Sequence, residues 1–259
     1  MVDGMTGLLI TARMGSARLP AKHLLLAGGK PMITWLCARM AHEFQQKIAG
    51  GNIKIIIATS TAAGNDVFAS ALGQLPVEVF HGSDAHIPLR QLQCAEAHGL
   101  DRIISIDGDD VLCSFHAARL VYDALPTTDD ADIVATAGLP LGMNVSGYTT
   151  AYLKRSVEAA QGDQYATGWG RVFKAPRTRT IKLGDHAPDG PMRFTLDYEE
   201  DATFFRTIIE RLGEGLLDMP DEDLIEYVRI HELHRINMHV QGRYFENFNT
   251  ERDKEIDGG

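Results

Sequence analysis

The sequence lacks both of the commonest phosphate-binding signatures: neither G-x-x-x-x-G-K-[S/T] nor G-x-G-x-x-G occurs in it. A standard P-loop and a dinucleotide fingerprint are therefore excluded. Cysteine is scarce, and Cys37, Cys94 and Cys113 are odd in number and widely spaced among apolar residues. That distribution argues against a disulfide framework or a zinc site and for simple core packing. No stretch approaches the roughly 20 consecutive apolar residues that cross a bilayer. The N-terminus shows neither the basic start nor the apolar core of a secretory signal. We expect a soluble, cytoplasmic protein without a membrane partner. Internal repeats, low-complexity tracts and long linkers are also absent, so 1–259 reads as a single domain. The net charge of −10 excludes the broad basic face that nonspecific binding to nucleic acid requires.

What is present is local. Residues 8–22, LLITARMGSARLPAK, run from an apolar strand into a loop holding Arg13, Gly15, Ser16, Arg18 and Lys22, with Pro20 stiffening the exit. Although the whole chain is acidic, residues 4–42 hold Arg13, Arg18, Lys22, Lys30 and Arg39 and no carboxylate. The local field decides what binds there, and a small polyanion fits it. Gly15 and Ser16 allow close backbone approach to phosphate oxygens.

Short apolar runs alternate with segments of helical length. Leu8–Ile10, Ile53–Ala58, Val77–Phe80, Ile103–Ile106 and Ile133–Thr136 read as buried strands. Helices are expected from Pro31 onward and at about 63–73, 87–98, 114–124, 150–160, 199–212 and 221–236, with Ser114 as an N-cap. This is an α/β pattern: a mainly parallel sheet with helices on both faces. Glycines and prolines from Gly138 to Pro188 change the rhythm, so 138–192 reads as an inserted subregion that covers the site or makes an oligomer contact. The chain returns to the core through a strand at Met192–Leu196. Residues 213–259 form a helical extension whose charged end, NTERDKEIDGG, is expected to fray.

The run RIISIDGDD places Asp107, Asp109 and Asp110 just after a strand, where open α/β sheets bind ligands. A hard divalent cation needs only one or two carboxylates when phosphates and water supply the rest. Asp109, beyond the Gly108 turn, is the first candidate, although a solvated turn would use the same residues. Asp197, ending RFTLD, is the second. Glu199, Glu200 and Asp201 are explained by the positive end of a helix. Trp35 and Trp169 read as packing residues, although Trp169, set between Gly168 and Gly170, could instead line an acceptor site.

The string ARMGSARLPAK resembles the opening motif of cytidylyltransferases that make CMP-activated sugar acids, the CMP-Kdo and CMP-acylneuraminate synthetases. The pattern A-R-x-x-S-x-R-L-P-x-K is complete as Ala12, Arg13, Ser16, Arg18, Leu19, Pro20 and Lys22. Downstream, IIIATS, VFHGSD and MRFTLDYEED are similar to the branch named for spore coat polysaccharide biosynthesis protein F. The resemblance implies a Rossmann-like nucleotidyltransferase fold, CTP as substrate, Mg²⁺, and a homodimer. By position it assigns Ala12, Arg13, Ser16, Arg18 and Lys22 to the triphosphate, with Arg13, Arg18 and Lys22 catalytic. It assigns Asp109 and Asp197 to magnesium, and Thr59, Ser60, Gly82 and Ser83 to the nucleoside. The implied reaction moves CMP from CTP to a sugar-acid or related acceptor for surface polysaccharide synthesis. Three departures stand out: the turn-setting proline after Asp109 is replaced in Asp110-Val111-Leu112, His81 stands where the branch has arginine, and Gln164, Tyr165, Ala166 and Thr167 replace an acid-His-x-Thr pattern. A nucleotide-sugar glycosyltransferase and a non-catalytic nucleotide binder are the competing readings.

Overall fold

The computed structural model describes residues 4–16, 18–125, 131–187 and 190–257. Pro188 lies outside them, as do the extreme ends of the 1–259 domain. The strands are β1 (Thr6–Thr11), β2 (Leu26–Ala27), β3 (Lys30–Pro31), β4 (Ile53–Ser60), β5 (Val77–Gly82), β6 (Arg102–Asp107), β7 (Ile133–Ala137), β8 (Ser146–Thr149) and β9 (Thr178–Lys182). The helices are α1 (Met32–Glu43), α2 (Gln45–Ala49), α3 (Val67–Leu72), α4 (Ile87–His98), α5 (Phe115–Ala124), α6 (Thr150–Glu158), α7 (Glu199–Leu212), α8 (Asp221–Ile230) and α9 (Gln241–Asp257). Seven strands form one sheet in the order β5-β4-β1-β6-β8-β7-β9, and β2 pairs with β3 in a separate hairpin.

β1 lies between β4 and β6 and is parallel to both, and β4 is parallel to β5. β8 runs antiparallel to β6 and β7, while β9 is parallel to β7. The expected mainly parallel sheet is what the chain builds. Leu8 and Ile10 point into one apolar cluster, and Leu9 points into another on the opposite face. This two-sided burial explains why β1 reads as an unbroken apolar run. Ser114 does cap α5, its Oγ accepting from the Ala117 N–H at 2.8 Å.

Four expectations need correction. Met192–Leu196 is not a strand: it is an extended segment joined to the body by a single bridge between Leu141 and Arg193 and by the Leu196 N–H donating to the Asp109 carbonyl. The helix expected over 221–236 stops at Ile230, because Glu232 takes a left-handed backbone (φ 53°). The charged end holds helix to Asp257, since its inward face packs on the protein. Finally, part of 138–192 belongs to the central sheet: β8 sits between β6 and β7, where Gly147 lets Ile103 and Val121 close in.

Cys37, Cys94 and Cys113 are free and fully buried. Burial pushes the Cys37 and Cys113 thiols up and Cys94 up to about 12. Because the thiolate is the reactive form, a colorimetric disulfide reagent is expected to label no thiol in the native protein and all three in denaturant. Rapid native labelling would contradict this packing.

Candidate active site

The C-terminal ends of β1 and β6 open side by side, because their register sets Thr11 beside Asp107. Beyond them lies a cleft of about 580 Å³, lined by Arg13, Gly15, Ser16, Arg18 and Lys22 from one loop and Asp107, Asp109 and Asp110 from the other. Gly108 makes this junction possible. Its N–H donates to the Thr11 carbonyl at 2.7 Å, and a Cβ there would stand 2.9 Å from both that oxygen and the Ala12 Cβ. Gly108→Ala is expected to lower stability by roughly 1–3 kcal/mol through overpacking, read as a fall in thermal midpoint. An unchanged midpoint would mean the two loops have slack.

Lys22 is the hinge of the electrostatics. Its Nζ donates to Asp109 Oδ2 at 2.5 Å and to Asp197 Oδ1 at 3.2 Å, and its side chain is almost wholly buried. Burial opposes the Lys22 charge, but Asp109 and Asp197 outweigh it and hold its pKa above the usual lysine value. Arg18 Nη2 donates to Asp197 Oδ1 at 2.7 Å. Burial likewise works against the Asp197 charge, yet Lys22, Arg18 and Arg193 hold the carboxyl below its ordinary pKa. His23 Nε2 stands 3.4 Å from Asp109 Oδ1, and burial lowers its pKa to about 4, so it is neutral. Burial raises Asp110 well above the usual carboxylate range, with Asp107 and Asp109 adding repulsion.

The sequence-derived triphosphate and metal residues thus share one cleft: Ala12, Arg13, Ser16, Arg18, Lys22, Asp109 and Asp197 all line it. The Ser16 N–H is not free for an anion, because it donates to the Met14 carbonyl at 2.9 Å. Thr59, Ser60, Gly82 and Ser83 do not reach the cleft wall. Thr59 and Ser60 are fully buried, and Asn65 Nδ2 donates to the Ser60 carbonyl and hydroxyl while its Oδ1 accepts from the Met14 N–H. Gly82 is walled by Phe80, Arg90 and Gln93, and the Ser83 N–H donates to Gln93.

In their place stands Arg90, which sequence reasoning missed. It is buried, lines the cleft, and donates to the carbonyls of Ala58, Ser83 and Asp84. Burial and the Arg13 charge lower its pKa to about 10. The carbonyls of Ala58, Ser83 and Asp84 therefore hold an arginine that reaches the cleft. Trp169 also lines the cleft, its Nε1 donating to Asp107 Oδ1 at 3.3 Å beside the 2.8 Å bond from Thr11. Tyr244, Asn247, Phe248 and Glu251 of α9 form a further wall that the charged sequence concealed.

Asp197 is supported from behind. The Arg193 guanidinium, wholly buried, donates to Asp201 through Nε (2.8 Å) and Nη2 (2.9 Å) and lies 3.5 Å from Asp197 Oδ2. Asp201 also accepts from the Asp197 and Tyr198 N–H groups and from Asn237. Its negative charge does suit the start of α7, but its main work is this cluster.

A mainly parallel sheet that gathers cationic and acidic loops at its strand ends defines an α/β protein with its candidate ligand cleft at that edge. The sequence model of the cytidylyltransferase family matches residues 8–179, and the chain belongs to that family. A 3-deoxy-manno-octulosonate cytidylyltransferase of Methylococcus capsulatus is 30% identical over 52% of this chain and 49% of its own length. The matched stretch thus spans about half of that relative. Spore coat polysaccharide biosynthesis protein SpsF of Bacillus subtilis is 26% identical over 80% of this chain and 87% of its own. Among solved structures, a cytidylyltransferase from Leptospira borgpetersenii superposes with a TM-score of 0.75 at 21% identity, covering 90% of this chain and 98% of that one. A CMP:2-keto-3-deoxy-manno-octonic acid synthetase solved with CTP gives 0.61 at 15% identity, over 80% and 99%. These likenesses confirm the nucleotidyltransferase fold expected from the sequence. No helix among the described residues is long and apolar enough to cross a membrane.

Proposed function

We propose that this chain transfers CMP from CTP to the hydroxyl of a sugar-type acceptor, releasing pyrophosphate, in surface polysaccharide biosynthesis. The observation that carries the reading is the convergence of Asp109 and Asp197 on one cation, the Lys22 ammonium, beside Arg13 and Arg18. Two carboxylates that already share one cation form a donor set that fits Mg²⁺, and Asp109 and Asp197 would hold it. When bound, the ion would neutralise charge building on the phosphates. Arg13 and Arg18 would grip the triphosphate, the planar guanidinium suiting phosphate oxygens. Lys22, released from the carboxylates, would follow the charge that collects on departing pyrophosphate. The acceptor oxygen attacks the α-phosphorus, the bond to the pyrophosphate oxygen breaks, and the acceptor proton passes to solvent or a cleft carboxylate. The chain supplies no nucleophile, so its contribution is positioning and preorganised charge.

The test is calorimetric titration with CTP, with and without Mg²⁺, followed by a pyrophosphate assay with candidate sugar acceptors. Magnesium-dependent CTP binding and acceptor-dependent pyrophosphate release are the expected results. Binding without turnover would favour a non-catalytic nucleotide binder, and CMP-sugar consumption without pyrophosphate a glycosyltransferase.

A further inference from the structure

The acidic centre of the cleft faces one side chain that cytidylyl transfer has not yet used. Tyr244, in the first turn of α9, lines the cleft together with Asp107, Asp109, Asp110 and Asp197. Asp197, Asp110 and Asp107 act on its phenol, Asp197 most strongly of the three, so the hydroxyl lies within their field. α9 is outside the stretch 8–179 that the family model matches, and the family pattern therefore assigns this tyrosine nothing.

The ring is fixed in place. The buried Arg193 guanidinium lies 4.7 Å from the Tyr244 ring centroid, and the same group binds Asp201 and stands 3.5 Å from Asp197 Oδ2. Phe245 meets the ring edge-on at 5.3 Å, and Phe248 lies 6.1 Å away. A cation over one face and rings beside it hold an aromatic side chain to one pose. α9 is in turn pinned to the body: Asn247 Nδ2 donates to the Tyr198 hydroxyl at 2.9 Å, and Glu255 accepts from the Thr167 N–H at 2.9 Å. A group that acts on reacting atoms needs such a rigid support.

The hydroxyl is uncommitted. Three other neutral side-chain donors lining the cleft are turned to protein acceptors, Thr11 and Trp169 to Asp107 and Asn247 to Tyr198. Among the described residues, Tyr244 Oη has no hydrogen-bond partner. A phenol is protonated at neutral pH in any case, so this one is available as a donor. A donor that sits among carboxylates and bonds none of them is suited to an oxygen that a ligand brings in.

Position selects that oxygen. The triphosphate cations line one side of the cleft, and α9 with residues 166–169 lines the other, so an acceptor that reaches the α-phosphorus comes in along α9. Tyr244 stands where these sides meet Asp197. The phosphorus that changes partners belongs at the same junction, because it is joined to the gripped phosphates on one side and to the incoming oxygen on the other.

We propose that Tyr244 is a catalytic residue whose hydroxyl donates a hydrogen bond to a non-bridging oxygen of the α-phosphoryl group as it transfers. This rests on the cytidylyl-transfer reading and adds a donor that the sequence resemblance does not assign. The phenol keeps its proton. The acceptor oxygen bonds to phosphorus, the pyrophosphate oxygen leaves with the electron pair of its broken bond, and the acceptor proton departs to solvent or a cleft carboxylate. A donor aimed at charge that develops during attack acts on turnover more than on CTP binding.

The test compares the wild type with Tyr244→Phe, which keeps the ring over Arg193 and removes only the O–H. CTP affinity is measured by calorimetry with Mg²⁺. Turnover is followed with a 3-deoxy-2-keto sugar acid, a hexose phosphate and a free hexose in turn, and with water as acceptor, read as CMP formation. Tyr244→Phe is expected to keep the thermal midpoint and the CTP affinity and to lower kcat by roughly ten- to a hundred-fold, the range for one hydrogen bond to a charged group. A second readout addresses the atom itself. Sulfur in place of a non-bridging α-oxygen is a poorer hydrogen-bond acceptor, so one of the two α-thio-CTP diastereomers should slow the wild type by about ten-fold more than it slows Tyr244→Phe. A tyrosine that only packs on Arg193 would not produce that difference. Wild-type kcat in Tyr244→Phe, or equal sulfur effects in both proteins for both diastereomers, overturns the proposal. A wild type that neither binds CTP with Mg²⁺ nor turns it over overturns the cytidylyl-transfer reading, and the role of Tyr244 falls with it.

Discussion

Asp109→Ala is expected to lower CMP transfer by about 10²-fold or more, the range typical of losing a preorganised electrostatic contact. Asp109 accepts from Lys22 and faces His23, so its removal takes away one of the two carboxylates that converge on a cation. The fold should survive. Asp109 is 28% exposed, Lys22 retains Asp197, and the link from the Leu196 N–H uses the Asp109 carbonyl rather than its side chain. Arg13→Ala is expected to cost a similar factor for a different reason: Arg13 is exposed on the cleft rim, so its loss weakens the grip on CTP without disturbing packing. The two variants separate in magnesium dependence. Asp109→Ala should need far more Mg²⁺, whereas Arg13→Ala should keep the wild-type magnesium response with weaker CTP binding. Near-wild-type pyrophosphate release by both purified variants would refute the site.

Which parts of this site could be read from the sequence follows from how far apart in the chain its contacts lie. Arg13, Arg18 and Lys22 sit within one loop directly after a buried strand, so local chain logic places them together. Asp109 was legible for the same reason, because a parallel strand delivers its C-terminal loop to the same edge as β1. Asp197 was found by its motif, although the strand expected to carry it does not form. Its position depends on the single bridge from Leu141 and on a cluster 4 residues downstream at Asp201. Arg90 gave no signal, since an arginine in the first turns of an amphipathic helix is indistinguishable from a solvated one until Ala58, Ser83 and Asp84 are seen to surround it. The wall from α9 was hidden more deeply. Tyr244, Asn247 and Phe248 lie in the helical extension without a motif to mark them, and Glu251 in the NTERDKEIDGG end expected to fray; the contacts of Glu255 with Thr167 and Arg171 show why that end stays helical against the cleft. Ser60 and Ser83 show the converse: their motif positions were legible, but Asn65 engages the Ser60 hydroxyl and Gln93 the Ser83 N–H, while Thr59 and Gly82 lie buried away from the cleft lining.

Asp201→Ala is expected to destabilise the protein by about 3–5 kcal/mol, because it strands a buried guanidinium. Arg193 and Asp201 are both 0% exposed, so the guanidinium is left in the interior away from bulk solvent. The loss is wider than one ion pair: the Asp197 and Tyr198 N–H groups and Asn237 Nδ2 all lose the same acceptor at the start of α7. For a chain of this size each kcal/mol moves the thermal midpoint by roughly 2–4 °C, so the expected fall is on the order of 10 °C. Function should change as well. With Asp201 gone, Asp197 is the remaining carboxylate near Arg193, now 3.5 Å away, and a tighter pairing would draw it from Lys22 and Arg18. The magnesium concentration needed for half-maximal turnover should therefore rise even below the new midpoint. Asp201→Asn separates these effects, since an amide oxygen can still accept from the Asp197 or Tyr198 N–H but cannot neutralise Arg193. Its midpoint should fall by less than that of the alanine variant, while its magnesium requirement should still increase. A midpoint within about 2 °C of wild type for Asp201→Ala, under 1 kcal/mol by the same conversion, would show that Arg193 finds another partner and that Asp197 is held without this cluster.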